Sequence, residues 1–252
     1  MLDNPERVKT AEEALNQLSG GYVLDVATGR GGFINYLIDH LMDYTDITGI
    51  DNNEILLEAA WKSIHHANLH FQCMDAAHMD FPDEHFDMVC MANSLHHMAD
   101  LPGVLSEMIR VCKPGGHLVI CEMYRDDQTE TQLTHVYLHH WWAAIDSAEG
   151  ITHHETFCRQ QIVEMIEKLN LNDTHYYDSK DVKSDPKEPE LIHELDGIID
   201  RFIQRTETLD GKEDLRLRGE MLRLRVHETG FHGASSLIVI GEKQAPSGRV
   251  KL

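Results

Sequence analysis

Three stretches of this chain place chemistry-bearing residues at regular intervals. The first is Val23-Leu24-Asp25-Val26-Ala27-Thr28-Gly29-Arg30-Gly31-Gly32-Phe33. It reads as a strand end, a tight turn and a helix start. Glycine lets the backbone turn sharply and a ligand come close. The second stretch ends a strand at Thr48-Gly49-Ile50-Asp51-Asn52. Its acid follows the glycine loop by about 20 positions, where a carboxylate can accept the hydroxyls of a ribose. The third is Cys73-Met74-Asp75-Ala76-Ala77, a further acid at a strand end. Each has a plainer reading. The loop can be a strand–helix turn without a ligand, and Asp51 can cap the next helix or sit in a solvated turn.

The loop is a poor cradle for a diphosphate. From Gly29 it reads G-R-G-G-F-I, not G-x-G-x-x-G/A, and no G-K-[ST] follows. Carboxylates at three neighbouring strand ends (Asp25, Asp51, Asp75) would repel phosphates. They suit an adenosine-type ligand carrying an amine, a sulfonium or an exocyclic adenine NH2.

Histidine supplies the other candidate chemistry, with 18 copies. His96 and His97 follow the fourth strand-like run. They can pack a helix start, or His96 can serve as a general base near neutral pH. Farther on, His135, His139, Trp142 and Asp146 fall on one helical face. That face can be solvated, can wall a substrate pocket with Trp142, or can hold a metal through its H-x-x-x-H pair. Two histidines need further ligands, and His153, His154 and Glu155 lie just downstream. No metal ligand is assigned. His96 and His139 are the candidate catalytic residues.

These groups need a scaffold, and hydrophobic periodicity outlines one. Strands are expected at 22–27, 46–50, 69–73, 86–92 and 117–124. Helices alternate with them, and Lys113-Pro114-Gly115-Gly116 is expected to break the chain before the fifth strand. That alternation implies right-handed crossovers and a parallel sheet covered on both faces. A helix bearing Val8, Ala11, Ala14, Leu15 and Leu18 precedes it. Helices follow at 131–148 and 157–169, the latter with Thr156 as a candidate cap. A weak sixth strand is expected at 171–177 and a last strand at 235–242. Helical stripes lie at 191–203 and 215–226, after a linker-like stretch at 184–189. The tail, 245–252, reads as frayed.

Composition bounds the partners. The 252 residues carry 22 Lys+Arg against 43 Asp+Glu, a formal net charge of -21. Such a balance disfavours nucleic acid and anionic membrane surfaces. No apolar run is long enough to span a bilayer and no leader is visible, so a cytoplasmic location is expected. The five scattered cysteines fit reduced thiols. The arginines at 201, 205, 216, 218, 223 and 225 can attract a substrate anion or simply pair with nearby acids.

Five ordered segments together resemble the class I S-adenosylmethionine-dependent methyltransferases of the small-molecule type. They are VLDVATGRGGF, GIDNN, CMDAAHMDFPDEHFDMV, MANSLHHM and IRVCKPGGHLVICEMY, across Tyr22–Tyr124. The resemblance implies an α/β three-layer sandwich. Its seven-stranded sheet is mostly parallel, with the last strand antiparallel. The core would span about 20–178 and 234–243, and a helical insertion between the last two strands about 179–233. It further implies S-adenosylmethionine as cofactor and methyl transfer to a small molecule by in-line displacement, with histidine base assistance as an option. A catalytically inactive cofactor-binding regulator or partner subunit is the alternative.

The resemblance also implies residue roles. Asp25 and the backbone of Ala27, Gly29 and Gly31 would surround the methionine part. Asp51 would take the ribose hydroxyls, with Asn52 beside it. Asp75 and the Ala76 N–H would read the adenine edge, and Asn93 would contact the amine or line the transfer site. Ala27 departs from the family pattern, which has glycine there. The insertion would cap the site or form a homodimer face.

Overall fold

The computed structural model describes residues 10–180 and 182–245. The expected Val8 end of the first helix and most of the frayed tail lie outside them. Seven strands alternate with helices: α1 Ala11–Leu15, β1 Tyr22–Val26, α2 Gly32–His40, β2 Asp46–Asp51, α3 Glu54–Ser63, β3 Leu69–Cys73 and β4 Phe86–Ala92. A single 3-10 turn, Leu95–His97, leads to α4 Leu101–Val111 and β5 Cys112–Met123. Then come α5 Glu130–Ala148, α6 Arg159–Glu167, β6 Asn172–Ser179, α7 Pro189–Thr206, α8 Lys212–Thr229 and β7 Ser236–Glu242.

The strand order is β3-β2-β1-β4-β5-β7-β6. The β1, β2, β3, β4 and β5 pairings are parallel, and β7 runs antiparallel to both β5 and β6. This is the expected three-layer fold. Alternation along each strand divides the core between the two sheet faces. Leu24, Val89, Leu118 and Val239 pack on one side with α4 and α6. Val23, Met88, Val119 and Ile238 pack on the other with α1 and α2. The edge strand β6, sequence NDTHYYDS, is polar, as suits an edge open to water.

Two helices, α7 and α8, join β6 to β7. The Leu191–Ile203 stripe does not stand free: it packs with Leu138, Trp141 and Ile145 of α5 and Val226 of α8. Trp141 is fully buried, and its indole N–H donates to the Leu215 carbonyl at 2.8 Å. Gly219 permits this approach, because a Cβ there would meet the Trp141 ring at 2.5 Å. The insertion's arginines largely pair with acids of the insertion itself or of the α5 region. Arg205 pairs with Asp146 and Glu149, Arg223 with Asp196 and Asp200, Arg225 with Glu130, and Arg216 with Glu213.

Three local expectations change. The Lys113–Gly116 stretch does not end before the strand; β5 runs through it with a register shift opposite Phe86/Met88. Helix α6 is capped at Cys158 with Gln161, because the Thr156 hydroxyl is buried and bonded to His140 Nε2 at 2.9 Å. The H-x-x-x-H face of α5 is not solvated: His139 is buried together with Leu138, Trp141 and Ala143.

Candidate active site

β1, β4 and β5 lie side by side and end at the same sheet edge, with β7 starting there. A cavity of about 500 Å³ opens at that edge. Asp25, Ala27, Thr28, Gly29 and Gly32 form one wall, with Phe33 and Tyr36 of α2. Ala92, Asn93 and Ser94 form the wall beyond β4, and Cys121, Ser179, Ser236 and Ile238 the far side. A crevice beyond strand carboxyl ends is where open α/β sheets take ligands.

The backbone is specialised here. Ala27 has φ 55 and Asn93 φ 47, at the ends of β1 and β4. L-residues adopt that conformation at a cost, and such strain concentrates at ligand sites. Gly29 has φ +53, and a Cβ on it or on Gly32 would meet nothing within 4 Å. The loop therefore presents bare backbone to open space.

The charge pattern is specialised too. Asp25 is 1% exposed. Its Oδ2 accepts from the Thr28 hydroxyl at 2.5 Å, while Oδ1 is buried without a partner. Burial pushes its pKa up to about 7; the Thr28 hydrogen bond opposes the rise and the Asp51 charge adds to it. A cation beside Oδ1 would satisfy the orphan atom and return the group to its ionised form. Asp51 Oδ2 accepts from the Gly29 N–H and Oδ1 from the Asn53 N–H, both at 2.9 Å, so it braces the loop. Asp75 is largely exposed and accepts from the Ala77 N–H at 2.9 Å; that bond, with His78, holds it below the usual carboxylate range. The site thus fits a cationic adenosyl compound rather than a diphosphate.

Of the sequence-predicted residues, Asp25, Ala27, Gly29 and Asn93 line the cavity. Gly31, Asp51, Asn52, Asp75 and Ala76 lie in the adjoining β1–α2, β2–α3 and post-β3 turns. Gly31 is a packing glycine, where a Cβ would meet Ile64 Cδ1 at 2.3 Å. Cys121, Ser179 and Ser236 were not foreseen. Their sequence contexts look like ordinary strand ends, and only the insertion of β7 between β5 and β6 collects them.

The candidate catalytic histidines do not line the cavity. His96 follows Ser94 by two positions and is fully buried. Its Nδ1–H donates to Glu122, and the Leu95 N–H reaches the same carboxylate at 2.9 Å. His139 lies against it, with ring centroids 4.7 Å apart. Burial, then the neighbouring imidazoles, hold the His139 pKa down to about 2. His135 stands apart from that contact: its Nδ1 accepts the Ala234 N–H at 2.9 Å.

Comparison with known proteins agrees with this geometry. A family profile described as a methyltransferase domain matches residues 24–120, the stretch that builds the loop, Asp51, Asp75 and Asn93. Over that stretch, less than half of its length, the chain is similar to this methyltransferase domain. The chain is 31% identical, over 136 residues, to a 2-phytyl-1,4-naphtoquinone methyltransferase of Synechococcus elongatus, covering 52% of this chain and 58% of the relative. The chain thus spans little more than half the length of that curated relative. The fold matches a Bacillus halodurans structure assigned as a methyltransferase, with TM-score 0.61 and 18% identity, over 93% of this chain and 99% of the other. It also matches a [4+2]-cyclase with TM-score 0.59 and 20% identity, over 93% and 79%. The fold therefore hosts more than one chemistry.

Proposed function

We propose that this protein transfers a methyl group from S-adenosylmethionine to a small organic acceptor. The observation that carries the reading is the buried, unpartnered Asp25 Oδ1, which shares a cavity wall with the bare backbone of Gly29 and Gly32. Asp25 and the Ala27–Gly29 backbone would hold the methionine end, with Gly31 keeping the loop close-packed. Asp51 and Asn52 would hold the ribose, Asp75 and Ala76 the adenine edge, and Asn93 the amine. The cofactor supplies a methyl already activated by the sulfonium charge. What the chain must add is alignment and exclusion of water.

Phe33, Tyr36 and Ile238 give the cavity an apolar side suited to an uncharged or aromatic acceptor. The Synechococcus relative acts, by its name, on a molecule of that kind. With a formal net charge of -21, nucleic acid is a poor acceptor. Among the described residues no helix is long and apolar enough to cross a membrane. His96 and His139 would assist as bases only through a group that reaches them from the cavity, since both are buried. Core (20–178, 234–243) and insertion (179–233) would act as one unit. Leu217, Met221 and Leu224, exposed on α8, are the surface a homodimer through the insertion would use.

Calorimetry with S-adenosylmethionine and with NAD tests the cofactor. Binding of the first but not the second supports the reading, and the reverse refutes it. Formation of S-adenosylhomocysteine with a quinone and phenol panel tests turnover. Tight cofactor binding without turnover on any acceptor would favour the inactive regulator, and the cyclase of the same fold makes that arm worth running.

A further inference from the structure

The largest unexplained feature outside the cavity is a knot of imidazoles. His96 and His97 come from the turn after β4, His139 from α5, and His153 from the loop after α5. One ring nitrogen of each lies within 4.8 Å of those of the other three. His96, His139 and His153 are buried; His97 is exposed and opens the group to solvent.

Two of the rings are held from behind by carboxylates. The His96 Nδ1–H donates to Glu122, and the His153 Nδ1–H donates to Asp146 at 2.6 Å. That fixes both tautomers and turns both Nε2 atoms toward the centre. A carboxylate behind an imidazole is the usual support of a metal-binding histidine. Two ring nitrogens of the group lack partners. His96 Nε2 and His139 Nδ1 are buried with no hydrogen bond. His139 Nε2 and His153 Nε2 face each other at 3.4 Å. Whichever nitrogen of His139 carries its proton, a buried lone pair or N–H on this ring or on His96 stays unsatisfied, which is costly.

A cation removes the difficulty. At a metal–nitrogen distance near 2.0–2.1 Å, tetrahedral ligands stand about 3.3 Å apart, close to the His139–His153 spacing. Glu122 strengthens the case: it is fully buried, and among the described residues no lysine or arginine pairs with it. An all-nitrogen donor set suits zinc, cobalt or nickel and not magnesium or calcium.

We propose that His96, His97, His139 and His153 bind one divalent transition-metal ion of the zinc class. The ion would fasten the turn after β4 to α5. This site is separate from the cofactor residues and does not rest on the methyl-transfer reading.

The test uses untagged full-length protein, stripped with chelator and titrated calorimetrically with zinc chloride, then with cobalt chloride while visible absorption is followed. One ion per chain is expected, with cobalt bands of tetrahedral nitrogen ligation. A melting temperature higher by about 5 °C with zinc is also expected. His139→Gln with His153→Gln should abolish saturable binding. Glu122→Gln and Asp146→Asn should each weaken it about 10–100-fold. Folding of each variant is checked by circular dichroism. Absence of saturable zinc or cobalt binding by folded wild-type protein overturns the proposal, whatever the variants do. So does wild-type affinity in a folded double variant, because the ion would then sit elsewhere among the 18 histidines.

Discussion

Glu122 on β5 and His96 in the turn after β4 are locked together by a hydrogen bond from Nδ1, with both side chains fully buried. The same carboxylate accepts the Leu95 N–H. One side chain thus anchors the segment that leaves the cavity wall. Glu122→Ala strands two buried donors, each costing about 1–3 kcal/mol. Urea unfolding should show a loss of about 2–6 kcal/mol, and Glu122→Gln a smaller one.

Asp25 predicts a pH dependence. Its folded pKa of about 7 stands above the ordinary value of 3.8, so the folded state holds the proton more tightly. In ligand-free protein this contribution to stability is full below the unfolded value and is lost as pH rises to about 7. A cationic ligand favours the ionised form. Affinity for S-adenosylmethionine should therefore fall about tenfold per pH unit below 7 and level off above it. Calorimetry in buffers of different ionisation enthalpy should detect one proton released per ligand at pH 6. Asp25→Asn should flatten both profiles.

The loop glycines should separate binding from stability. Gly32 has an ordinary φ and open space around its Cβ position. Gly32→Ala should leave stability unchanged or raise it by about 0.5–1 kcal/mol while weakening cofactor binding. Gly31→Ala combines φ +78 with the Ile64 clash. It should cost about 1–3 kcal/mol. Thermal melts with and without S-adenosylmethionine distinguish the two.

Gly219 and Trp141 test the insertion's seat. Gly219→Ala should wedge α8 from α5 and cost about 1–3 kcal/mol. Trp141→Ala should cost about 3–5 kcal/mol by emptying the α5–α7–α8 core. Chemical denaturation of each variant measures both effects.

The sequence by itself determined the parts that depend on local pattern. Alternation of apolar runs and helical stripes outlined the seven strands, and the glycine loop with Asp25 marked the sheet edge where the cavity opens. These features are contiguous, so periodicity and turn chemistry expose them. Where local signals compete, tertiary pairing overrides the local pattern. Lys113–Gly116 looks like a break, yet pairing with β4 and β7 carries the strand through it. Thr156 looks like a cap, yet His140 claims its hydroxyl.

Only the tertiary structure decided the rest. Cys121, Ser179 and Ser236 meet because β7 enters between β5 and β6. His139 belongs with His96, His97 and His153 rather than with His135, its neighbour one turn away. The physical reason is that helical spacing gives only the face a residue occupies. What that face meets is set by packing, and here α5 carries His139 onto the turn after β4 while the Ala234 N–H occupies His135.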